Sequence, residues 1–165
     1  MSLVINMDLT VAGIDAAIRE ITDYQAFIRR KTAEFAARLA DDGGVQALLG
    51  YDQVYYRGPK DVDVNVEELG GNKYAIVASG ETVLILEFGA GITYGSGHPQ
   101  ARGFGYGPGT YPGQTHALDP KGWWLPKSAG GGHTFGNAPG MTMYKTSKDL
   151  RKRMAEIAME VFSRD

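Results

Sequence analysis

Between Thr10 and about Ala40 the apolar positions recur with a 4-3 alternation. Ile14, Ile18, Ile21, Gln25, Ile28, Thr32, Phe35 and Leu39 mark the repeat, and six of these eight are apolar. That spacing keeps them on one side of an α-helix. Thr10 suits the N-cap and Gly43-Gly44 suits a stop, so the pattern predicts a helix over 10–41, with Val45 to Leu49 able to add one more turn. Such a helix is roughly 45 Å long, whereas a compact domain of this size has a radius of gyration of about 15 Å. Part of it must project or meet another subunit. Gln25 and Thr32 in the seam fit a register-setting role in a helix pair, while packing on the protein's own sheet explains the same stripe.

The period then changes to two. Asp61 to Glu67 alternates polar residues with Val62, Val64 and Val66, Leu69-Gly70-Gly71-Asn72 supplies turn residues, and Lys73 to Ala78 reads as the returning strand. Ser79-Gly80-Glu81 turns again into Thr82 to Phe88, whose continuous apolar run predicts the most buried strand. These give a three-stranded antiparallel β-meander over 61–88, which needs helices as cover on its apolar face. Near the end of the chain Thr146 or Ser147 suits an N-cap, and Leu150, Met154, Ile157 and Val161 form a narrow helical stripe over 146–163. The predicted fold is α+β: one domain over 1–165, in which a long N-terminal helix and a C-terminal helix pack on a small meander.

Between meander and last helix, residues 89–140 follow neither period. They hold 15 of the 23 glycines, six of the seven prolines, all three histidines and both tryptophans, with Arg102, Asp119, Lys121 and Lys127 as the only charges. Disordered linkers are rich in charge and poor in aromatics, so the opposite balance here predicts an ordered, functional insertion. Two adjacent large rings, Trp123-Trp124, read as anchors in the core or in a protein interface.

Composition excludes several classes. A net charge of -2 gives no basic excess for nucleic acid or an anionic membrane, and the absence of cysteine excludes disulfides and thiolate metal sites. Met1 to Asp8 lacks the basic and apolar regions of a signal peptide, and no apolar run of about 18 residues occurs, so synthesis and folding in a cytoplasm are expected. The run Gly103 to Gly109 has neither the dinucleotide-binding register nor a following Gly-Lys-Ser/Thr, Ser96 is not in a nucleophile elbow, and no zincin motif occurs. His98, His116 and His133 with Asp119 could ligate zinc as a hydrolase would require, but their spacings of 18 and 17 match no short metal motif. The alternative is that each imidazole bonds to turn backbone.

The order of long helix, strands ending in Glu87-Phe88-Gly89, irregular segment, Pro139-x-x-x-Met143-Tyr144 and final helix resembles the tail-completion, or head-to-tail joining, morphogenesis family of tailed bacteriophages. Prophage members carry a segment similar to His98-Pro99, Gly105 to Gln114, His116-Ala117, Asp119-Pro120, Gly122-Trp123-Trp124, Gly132-His133-Thr134, Gly136 and Met141-x-Met143-Tyr144. Compact members lack the long insertion. The resemblance covers most of the chain and implies a structural protein of the virion neck, made in the host cytoplasm. It implies no catalytic residue and no cofactor. The implied partners are the connector, tail terminator or tail tube, with copies arranged in a ring; neither a membrane nor a specific nucleic-acid sequence is among them. The expected contact residues are Ile28, Phe35 and Leu39 on the first helix, Tyr106, Tyr111, Trp123 and Trp124 in the insertion, and Lys148, Arg151 and Lys152 on the last helix. The last three would face the acidic stretch 51–88 of a neighbouring copy, which holds seven acidic side chains against three basic.

Overall fold

A computed structural model describes residues 4, 5, 8–95, 97–112 and 114–163. Ser96 and Gly113, both in motifs considered above, and most of Met1 to Asp8 lie outside the described residues. The architecture is mixed α+β: helix α1 (Val11–Gln53), hairpin strands β1 (Asp63–Gly70) and β2 (Lys73–Ser79), short helix α2 (Val83–Phe88), a second small hairpin β3 (Trp123–Leu125) and β4 (Gly132–Thr134), and helix α3 (Thr142–Ser163).

Helix α1 begins where expected, with the Thr10 hydroxyl accepting from the Gly13 N–H at 3.1 Å. It does not stop at Gly43-Gly44. It continues to Gln53, 43 residues in all, or about 65 Å. Both glycines are buried. A Cβ on Gly43 would collide with the tips of Ile76 and Leu150, and one on Gly44 would lie 2.8 Å from Val66. The pair is thus a point of close approach rather than a terminator: the hairpin and α3 both press onto α1 there. Helix α3 runs antiparallel to α1, with Thr142 against Gly50, Leu150 against Gly43, and Glu160 and Val161 beside Glu34 and Ala37.

The first sheet has two strands, not three. Its register pairs Val64 with Ala78 and Val66 with Ile76, and that face lies on α1. The turn takes three successive left-handed residues, Gly70, Gly71 and Asn72, which is why only glycine and asparagine stand there. The run Thr82 to Phe88, expected as a third strand, is instead helix α2. A short apolar run has no period to separate strand from helix, and the decision comes from a distant residue. The Asp61 carboxylate accepts the Glu81 N–H at 2.5 Å, the Thr82 N–H at 2.9 Å and the Thr82 hydroxyl, fixing the N-cap residue and the one before it. The Thr82 hydroxyl bond foremost, then those two N–H bonds, hold the Asp61 carboxyl below the usual carboxylate range.

The last helix starts at Thr142, one turn before the expected caps, because its first N–H groups are met from α2, as described below. Residues 89–140 form an excursion stapled at its base, where Ala90 and Asn137 exchange backbone bonds of 2.8 and 3.1 Å. Its interior packs on Phe88: Ala101 and Tyr111 are buried there, and the Tyr106 ring lies 4.6 Å from that of Phe88.

Candidate functional site

Leu86, Glu87 and Phe88 are the most buried turn of α2, and an acid in an apolar run needs partners. Glu87 is 5% exposed and has four. Its Oε2 accepts from the Tyr51 hydroxyl (3.2 Å) and the Met143 N–H (3.0 Å), and its Oε1 accepts from the Tyr144 N–H (3.1 Å) and His98 Nε2 (3.2 Å). The Gln100 N–H donates to His98 Nδ1 at 3.1 Å, which leaves the ring proton on Nε2, facing Glu87. One carboxylate therefore caps α3, where the helix dipole favours negative charge, and ties the end of α1 and the start of the excursion to it. Burial first, and the Glu87 charge second, raise the Tyr51 phenol well above its ordinary pKa.

Beside this node a groove of about 910 Å³ runs between the last turns of α1, the segment Asn137 to Gly140 and the first turns of α3. Leu49, Val54, Tyr55 and Pro139 give it an apolar floor. Lys145, Lys148, Asp149 and Lys152 stand along its α3 wall, with the Lys148 ammonium 5.4 Å from the centre of the Tyr144 ring. A smaller cavity of about 300 Å³ opens between Tyr55 to Gly58 and the β3–β4 hairpin, walled by Tyr94, Trp123, His133 and Phe135.

The contact residues expected from the sequence are scattered over these features. Tyr111 is buried in the Phe88 cluster, where burial pushes its phenol up to about 12, and Tyr106 is half-buried against it. Trp123 is half-buried in the smaller cavity's wall, whereas Trp124 is 76% exposed with its ring against His133. Lys148 and Lys152 line the groove, and Arg151 is exposed on the same helix. Ile28, Phe35 and Leu39 are half-buried, and Leu39 lies within the part of α1 flanked by α3.

The residues left bare are earlier in α1. Val11, Ile14, Ile18 and Ile21 are exposed, Val11 at 79% and Ile18 at 56%, and among residues 11–30 only Ala17 is buried in full. The zinc reading finds no shared locus. His98 is bonded to Glu87, His133 meets the Trp124 and Phe135 rings edge-on, and His116 is exposed. No group of three or more His, Asp or Glu among the described residues could hold a metal ion together, and no helix among them is long and apolar enough to cross a membrane.

Sequence reasoning took Glu87 only as part of the Glu-Phe-Gly motif, with no role of its own, and did not single out Tyr51, Asp61 or the groove. The signal for Glu87 was present, since a lone acid in Val83-Leu84-Ile85-Leu86-Glu87-Phe88 is anomalous unless something meets it. The groove had none, because its walls come from residues about a hundred positions apart. Compared with protein-family models, curated proteins and solved structures, the chain matches none.

Proposed function

We propose that this chain is a structural protein of the tailed-phage neck, joining or completing the tail at the head–tail interface through protein–protein contacts, with several copies arranged as a ring. The observation that carries a role in assembly is the bare first half of α1. Some 20 residues extend beyond the end of α3, about 30 Å of helix, and their isoleucines face solvent. Isolated helices of that length are marginal in water, and an amphipathic helix takes its stability from what covers its apolar face. The neck itself rests on the Glu-Phe-Gly to Met-Tyr resemblance. The described groups suit contact: the charged side chains that line the groove stand on a helix surface, and Glu87, the one carboxylate buried among the described residues, is saturated by internal donors.

Inducing the encoding phage without this gene tests the reading. Filled heads and free tails that fail to join, and that join once the protein is supplied, are the expected result. Normal infectious particles would end it.

A further inference from the structure

We infer that copies of this chain join head to tail, the bare first half of α1 from one copy lying in the α1–α3 groove of the next. This rests on the reading of the protein as an assembly component and names its contact. The two surfaces match in both characters that matter. The outer part of the arm, residues 8–23, carries Asp8, Asp15, Glu20 and Asp23 against Arg19 and presents Val11, Ile14, Ile18 and Ile21 uncovered, whereas Arg29 and Arg30 stand at its base. The groove carries Lys145, Lys148 and Lys152 against Asp149, over a floor in which Leu49 is 53% and Tyr55 76% exposed. The acidic, apolar outer turns of the arm thus meet a basic apolar cleft, which favours both encounter and register.

The acidic hairpin is the poorer occupant for those lysines. Its valines are turned onto α1, so it could offer charge but little to cover Leu49 and Tyr55. Nor can a chain fill its own groove. Arm and groove lie on one continuous helix, and Ile18 is about 48 Å from Gly50 along it. Each copy therefore keeps one arm and one groove to offer, and a contact between two different patches propagates from copy to copy, closing into a ring where the rotation between neighbours allows it.

Two surface variants of the full chain test this by sedimentation and native mass spectrometry, with circular dichroism confirming unchanged helix content. Ile18→Asp disables the arm, and Lys148→Glu with Lys152→Glu disables the groove. Wild type is expected to self-associate with rising concentration, and each variant to do so about fivefold more weakly or worse. Mixed together, the two should form a 1:1 pair that grows no further, because only one good arm and one good groove remain. A monomeric wild type, a smaller loss in either variant, or a mixture that forms no pair overturns the contact. An arm-to-arm association would show itself by leaving the groove variant unaffected. The neck reading fails separately: assembly as described, together with normal particles from the gene-deleted phage, would sink the neck and leave the contact.

Discussion

Four donors converge on Glu87 from three parts of the chain: Tyr51 near the end of α1, His98 at the start of the excursion, and the Met143 and Tyr144 N–H groups in the first turn of α3. The carboxylate replaces the water that a buried acid, a buried phenol and two helix-start N–H groups would otherwise need. Glu87→Ala leaves all four donors buried without an acceptor and should cost about 3 kcal/mol or more, a large share of a typical domain's stability. Glu87→Gln is nearly isosteric but turns its NH2 group toward a helix-start N–H in either orientation, that of Tyr144 beside His98 or that of Met143 beside the Tyr51 hydroxyl, and His98 has no spare acceptor to offer because Nδ1 is taken by Gln100. Tyr51→Phe removes one donor and strands nothing, so about 1 kcal/mol is expected. Urea unfolding should rank the losses in the order Ala, Gln, Phe. A Glu87→Gln protein as stable as wild type would show that the carboxylate is not the tie described here.

At the scale of elements, what could be read from the sequence were the features set by local periodicity: α1 with its Thr10 cap, the first hairpin with its Gly-Gly-Asn turn, and the stripe of α3. What could not be read were the features decided by distant partners. Asp61 starts α2 across the whole hairpin, Glu87 starts α3 across the excursion, and Gly43-Gly44 is decided by side chains from the hairpin and from α3. Helix propensity alone ranks glycine about 1 kcal/mol below alanine, which is why the pair reads as a stop. Packing reverses the sign. Gly43→Ala gains that propensity but drives its methyl into Ile76 and Leu150 together, and overpacking of this kind costs about 1–3 kcal/mol. Gly44 faces Val66, whose branched side chain has little rotamer freedom with which to yield. Either alanine variant should therefore melt below wild type. A gain in melting temperature would mean that the glycines are ordinary helix positions and that the close approach of three elements does not need them.

For the whole molecule, the distribution of cover along α1 sets how its two halves should behave. From Ala40 to Tyr51 the helix buries five residues, Ala40, Gly43, Gly44, Ala47 and Tyr51, against the hairpin and α3. Its first turns bury only Ala17 among the described residues, so they rest mainly on their own backbone bonds and the Thr10 cap. Opening such a segment exposes almost no apolar area, and its free energy of opening should lie near the low end of the molecule's range. Amide hydrogen exchange resolves this directly. In dilute protein, residues 11–25 are expected to exchange quickly while residues 40–53 stay protected to near the global limit. Raising the concentration should slow exchange in 11–25, because association then stabilises whichever state it binds. The same rise should protect the groove residues around Leu49 and Lys148, since every arm that becomes ordered must occupy a groove. Protection of the arm without protection of the groove would place its cover elsewhere. An arm as slow to exchange in dilute solution as the second half of the helix would mean that α1 needs no partner at all.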